Sequence, residues 1–89
     1  MQKIDPFSAI ADANRRYLLE ELLRGPQTVN ELAKGLPISR PAVSQHLKAL
    51  LDSGLVEVKN EGTRRFYSIS HDGFNKLNIW LDQFWAEPA

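Results

Sequence analysis

Ser39-Arg-Pro-Ala-Val-Ser-Gln-His-Leu-Lys-Ala-Leu50 is the stretch on which the fold turns. Ser39 (or Arg40) can cap a helix whose first turn holds Pro41. Val43, Leu47, Leu50 and Leu51 recur at i, i+4, i+7 and i+8, a single apolar stripe. The opposite face carries Arg40, Pro41, Ser44, Gln45 and Lys48, with His46 on the flank and no acid between Arg40 and Lys48. A merely solvated helix face favours Glu/Lys pairs at i,i+4. Cations, short hydroxyls and an amide are instead the side chains that read base edges and phosphates.

Working upstream, Thr28-Val-Asn-Glu31 is a capping box, with Val29, Leu32, Ala33 and Leu36 as the buried face behind it. Gly35 is expected to turn the backbone with positive φ, and Pro37 forbids the helix from continuing. Asp12 can cap an earlier helix carrying Leu18, Leu19, Leu22 and Leu23, which Gly25-Pro26 stops. Asp5-Pro6 starts a first helix, about residues 5–12, with Phe7, Ile10 and Ala11 apolar. Downstream, Gly54 ends the quoted helix and the period changes to two. Val56 and Val58 alternate with Glu57 and Lys59, and Tyr67 and Ile69 alternate with Phe66 and Ser68. Asn60-Glu61-Gly62-Thr63 is the expected hairpin turn between them. Ser70 can cap a last helix, about residues 71–86, with Phe74, Leu77, Leu81 and Phe84 at 3-4-3 spacing beside Trp80 and Trp85. The order is α-α-α-α-β-β-α, mainly α with a β-hairpin. Two helices across a tight turn, followed at once by a hairpin, make a winged helix-turn-helix.

The 89 residues allow one domain, and a chain so short buries only about 60–65% of its unfolded surface, so a partner would help it. There is no cysteine, which excludes disulfides, thiolate metal sites and a cysteine nucleophile. No 18-residue apolar run and no secretory h-region in Met1–Ala9 are present, so a cytoplasmic protein without membrane association is expected. Eleven Lys+Arg balance eleven Asp+Glu, but unevenly. Residues 1–38 are neutral, residues 39–65 carry net +2, and residues 66–89 carry net −2. An anion would prefer the middle segment. No Ser–His–Asp arrangement, phosphate-binding glycine loop or paired carboxylates support catalysis, so no catalytic residue and no cofactor is expected.

Asp12-Ala-Asn-Arg-Arg16 and the leucines after it resemble the D-x-x-R-x-x-I-L-x-x-L opening of ArsR-type repressors. Ser39–Leu50 is similar to their S-x-P-x-V-S-x-H-L-x-x-L recognition segment. Asp52-Ser-Gly-Leu-Val56, the glycine-bearing wing and Arg65-Phe-Tyr-Ser-Ile69 follow in the same order, so the resemblance spans about residues 7–70. It implies a dimeric winged-helix repressor, a type in which many members release DNA on binding a metal through cysteine, histidine or carboxylate ligands. Their third helix often reads E-L-C-x-C; here Glu31-Leu-Ala-Lys-Gly35 puts Ala33 and Gly35 at the thiolate positions. The terminal helix offers His71, Asp72, Asp82 and Glu87 without a second histidine, and His71-Asp72 reads as a helix-start arrangement. No metal site is expected.

The expected function is therefore metal-independent repression by a homodimer on double-stranded DNA, at an imperfect palindrome. Arg40, Ser44 and Gln45 would meet base edges, with Pro41 on the same DNA-binding face and His46 on the flank. Thr28, Ser39 and Lys48 would hold phosphates, and Thr63, Arg64 and Arg65 on the wing would reach the flanking backbone or minor groove. Asp12, Arg15 and Arg16 read as a helix cap with solvated arginines. Phe7, Ile10, Phe74, Leu77, Trp80, Leu81, Phe84 and Trp85 would form the dimer interface, an apolar face too wide to leave in water. Two alternatives are a MarR-like regulator responding to a small molecule, for which so short a chain leaves little to build a pocket, and a winged-helix protein-interaction module. The latter would not need an acid-free cationic helix face.

Overall fold

A computed structural model describes residues 4–85. The elements are α1 (Pro6–Ala9), α2 (Ala13–Leu22), α3 (Val29–Ala33), α4 (Arg40–Asp52), β1 (Val56–Glu61), β2 (Arg64–Ile69) and α5 (His71–Asp82). The expected order holds. Each of the first four helices starts on a side-chain cap: Asp5 accepts from the Ser8 N–H, Asp12 from Arg15, Thr28 from Glu31 and Ser39 from Ala42. Ser70 occupies the N-cap position of α5 without a side-chain cap bond.

The end of α4 is closed by a Schellman motif. Gly54, at φ 83°, lets its N–H reach the Leu51 carbonyl (3.1 Å), while the Leu55 N–H reaches the Leu50 carbonyl (3.0 Å). The same turn buries Leu55 against Leu50, and both are fully enclosed. The chain thus passes from α4 into the hairpin with no slack. β1 and β2 pair antiparallel, with Val56 opposite Ile69 and Glu61 opposite Arg64. The hairpin loop is therefore shorter than the four residues expected. Asn60 and Glu61 are paired strand residues, and Gly62-Thr63 alone turns the chain, with glycine at φ 61°.

Four further features differ from, or add to, the sequence-based expectation. α1 stops at Ala9 rather than continuing to about residue 12, because Arg15 and Arg16 donate to the carbonyls of Ser8, Ala9 and Ile10 and so close its C-terminal end. These arginines are therefore engaged, not simply solvated. α5 stops at Asp82, and Gln83–Trp85 form turns; residue 86 and Glu87 lie outside the described residues. Gly35 does not have positive φ. It is small because the Tyr17 ring lies over it: a Cβ there would run into the Tyr17 hydroxyl. Finally, Gln27 pairs with Tyr67 through two backbone hydrogen bonds (2.8 and 3.0 Å), so the α2–α3 connection lies along the wing as a short third edge.

The core gathers Leu18 and Leu22 from α2, Leu32 from α3 and Val43, Leu47 and Leu50 from α4, closed by Leu55, Val56, Tyr67 and Leu77. This packing anchors the inner face of α4 and leaves its outer face clear. No helix of the described residues is long and apolar enough to cross a membrane.

Candidate nucleic-acid interface

The inward stripe of α4 fixes which way the other side chains point. Arg40, Pro41, Ser44, Gln45 and Lys48 are exposed, and His46 is half-buried on the flank, as expected from the periodicity. Beside this face a polar groove runs between α3, the start of α4 and the wing. Thr28, Arg40, Thr63, Arg64 and Arg65 all line it, brought together from three parts of the chain. Asn30 and Lys34 line it too. Sequence reading missed them, although their i,i+4 spacing on the polar side of α3 was available as a signal.

The wing arginines are held by aromatic rings. The Arg64 guanidinium lies 4.9 Å from the Phe66 ring centroid and that of Arg65 lies 5.6 Å from the Tyr67 ring. Because i and i+2 share a strand face, the two arginines leave opposite faces of the hairpin. Neither forms an ion pair with another described residue.

Three expected phosphate ligands have other engagements. Thr28 uses its hydroxyl proton and its backbone N–H on the Glu31 carboxylate (3.1 and 2.9 Å), and its oxygen accepts from the Glu31 N–H. Those bonds, the backbone one first, hold the Glu31 carboxyl below the usual carboxylate range, with Arg64 and Lys34 adding attraction. Ser39 accepts from the Ala42 N–H at 3.2 Å and keeps its own proton to donate. Lys48 pairs with Asp52 at 3.1 Å. An exposed i,i+4 pair is worth well under about 1 kcal/mol, so the pair holds the ammonium only weakly.

The apolar residues of the termini divide. Leu77 is 5% exposed and belongs to the core of its own chain, with Phe74 packed partly against it, which explains why neither stands out on the surface. Phe7 meets Trp80 edge to face at 5.1 Å, and Trp80 meets Phe84 at 4.7 Å. Trp80 (46%), Leu81 (39%), Phe84 (63%) and Trp85 (69%) remain open to solvent, as does Ile79 (65%), which sequence reading left out. Ile10 is half-buried.

A second, apolar groove of about 300 Å³ lies between α2, the end of β2 and α5, lined by Leu19, Glu20, Leu23, Ile69, His71 and Phe74. The chain thus forms an open apolar groove from the little length it has to build a pocket. It shares no residue with the polar groove.

The residues present do not fit a thiolate metal centre on α3. Ala33 and Gly35 have no donor atom, and the Tyr17 ring fills the space beside Gly35. Among the described residues no three His, Asp or Glu side chains come together as metal ligands.

Comparison with known proteins adds three kinds of match. The family profile "Bacterial regulatory protein, arsR family" matches residues 12–58. The HTH-type transcriptional regulator Rv2034 of Mycobacterium tuberculosis is 49% identical over 80 residues, covering 90% of this chain and 75% of that protein. Three other relatives are longer still, the match covering 38% to 58% of them. A crystal structure described as a possible transcriptional regulator for arsenical resistance superposes with a TM-score of 0.84 at 40% identity, over 93% of this chain and 86% of that one. The solution structure of the homodimeric winged helix-turn-helix DNA-binding domain Mb0332 from Mycobacterium bovis superposes with a TM-score of 0.70 at 29% identity, over 93% and 81%.

Proposed function

The chain belongs to the arsR family of bacterial regulatory proteins, DNA-binding winged helix-turn-helix transcriptional regulators and not enzymes, and on that premise we propose that it is a homodimeric, metal-independent repressor of a palindromic operator. One observation carries this reading. The outer face of α4, which carries no acid from Arg40 to Lys48, and the cationic wing lie on either side of one polar groove, so a helix and a hairpin are presented to the same duplex.

In this arrangement α4 enters the major groove. Arg40, Ser44 and Gln45 meet base edges, Gln45 as a bidentate partner for adenine, with Pro41 packing alongside. Ser39 and Lys48 hold phosphates, and Thr28 does so only by leaving its capping box. Thr63, Arg64 and Arg65 reach the flanking backbone or minor groove. The exposed aromatic face of Phe7, Trp80, Leu81, Phe84 and Trp85, together with Ile79, joins two copies through α1 and α5. Two recognition helices then stand about 34 Å apart, one turn of B-DNA. Repression follows from occupying DNA that polymerase needs. Metal independence rests on the missing donors at Ala33 and Gly35.

The test is selection of duplexes from a random-sequence pool by the purified protein, followed by sequencing. Two inverted half-sites spaced by one helical turn support the proposal. A single asymmetric half-site contradicts the dimeric part, and no enrichment contradicts the whole.

A further inference from the structure

The side chain of Arg15 leaves α2 and joins two other helices. Its Nε donates to the Ala9 carbonyl at 2.7 Å and its Nη2 to the Ser8 carbonyl at 3.2 Å, both at the end of α1. Its Nη1 lies 3.4 Å from Nδ1 of His46 on α4. α1 carries Phe7, which packs on Trp80 in the exposed aromatic face; α4 carries the side chains that face DNA. One half-buried guanidinium therefore links the two surfaces.

The chemistry of the contact fixes a proton. A guanidinium stays charged and only donates, so His46 Nδ1 must accept. A neutral imidazole with Nδ1 accepting carries its proton on Nε2, where it is free to donate. Nε2 has no hydrogen-bond partner among the described residues. Asp12, the cap of α2, also lies within electrostatic reach of the ring.

We propose that Arg15 is a positioning residue. It holds His46 in the Nε2–H form and in register on the recognition helix, so that this N–H donates to a DNA phosphate oxygen. The aromatic face and the DNA face are thereby mechanically joined through the end of α1. This inference rests on the DNA-binding reading above for its last step only; the Arg15–His46 contact stands without DNA.

Nitrogen-15 spectra of the imidazole rings at about pH 8, where an ordinary histidine is neutral, test the first step on the free 89-residue chain. His46→Gln separates the His46 signals from those of His71. The expected result is a single Nε2–H form for His46; an Nδ1–H form or an unbiased mixture overturns the proposal. The second step is tested on a duplex that the wild-type protein has selected from a random pool. His46→Gln, whose amide N–H stands near the Nε2 position, should bind within about twofold of wild type, whereas His46→Asn should lose about tenfold. Arg15→Met should lose about tenfold in the wild-type background and clearly less in the His46→Gln background, a difference that a purely structural role of Arg15 would not produce. Equal losses in both backgrounds, or equal binding by His46→Gln and His46→Asn, overturn the positioning role. If the wild-type chain selects no duplex, the DNA-binding reading falls and takes the phosphate step with it, while the imidazole spectra still decide the Arg15–His46 step.

Discussion

Phe7, near the start of the chain, and Trp80, near its end, meet edge to face with ring centroids 5.1 Å apart and planes at 74°. The pair brings α1 and α5 together, yet both rings remain substantially open to solvent, and Phe84 extends the same surface. A small domain does not ordinarily leave so much aromatic surface in water.

Removing this surface should separate two copies. Trp80→Ala deletes one aromatic side chain from each chain of a dimer; since only the exposed half of each ring is left to bury, that is roughly 1.5–3 kcal/mol in all. That is about tenfold to a hundredfold in the dimer dissociation constant. Sedimentation velocity over a dilution series measures it. Leu77→Ala, by contrast, should lower the stability of each chain, because Leu77 lies in the core. A Trp80→Ala protein that stays dimeric to the same dilution as wild type would remove the aromatic face from the interface.

Gly35→Ala should cost about 1 kcal/mol or more in urea denaturation, since the added methyl meets the Tyr17 hydroxyl. Tyr17→Phe removes that hydroxyl and should recover part of the loss in the double variant. An alanine that costs nothing would mean that the ring is free to swing aside.

Much of this architecture was legible in the sequence because its signals are local. Asp5, Asp12, Thr28 and Ser39 cap the helices where their positions predict, and the stripe of Val43, Leu47 and Leu50 is buried as its period requires. The unread features join residues distant along the chain or depend on side-chain reach. The Gln27–Tyr67 bridge spans forty positions and leaves no periodic trace. The Arg15 contacts with Ser8, Ala9 and His46 look from sequence like one more helical arginine. The 3-4-3 spacing puts Leu77 in the expected dimer interface, because it shows that a helix has an apolar face but not how much of that face its own chain covers.

Acidification should unfasten two helix caps. The Asp12 carboxyl is held below the usual range chiefly by the Arg15 backbone N–H, and that of Glu31 chiefly by the Thr28 backbone N–H. A depressed pKa in the folded chain gives stability that is present above the ordinary carboxylate pKa and lost as pH falls through the folded value. The urea midpoints of wild type and Asp12→Asn should therefore differ at pH 7 and converge below about pH 4. A gap that persists at about pH 2 would show that the effect of Asp12 is not its charge.

Zinc, cadmium or nickel at micromolar concentration should leave DNA affinity unchanged, because Ala33 and Gly35 supply no donor. Equilibrium dialysis with a parallel gel shift checks this. Stoichiometric metal binding with a tenfold or greater loss of DNA affinity would contradict it.

The division of labour between helix and wing is tested most directly by one titration set: wild type, Gln45→Ala and Arg65→Ala, each on a selected duplex and on random DNA at several salt concentrations. Gln45→Ala should cost about 1–3 kcal/mol on the selected duplex and little on random DNA. Arg65→Ala should weaken both about equally and lower the log–log salt slope by about one for each phosphate that is no longer neutralised, hence by about two for a dimer. If Arg65→Ala changes sequence preference while Gln45→Ala changes only overall affinity, the wing carries the reading, and if neither matters, residues 39–65 are not a DNA-binding face.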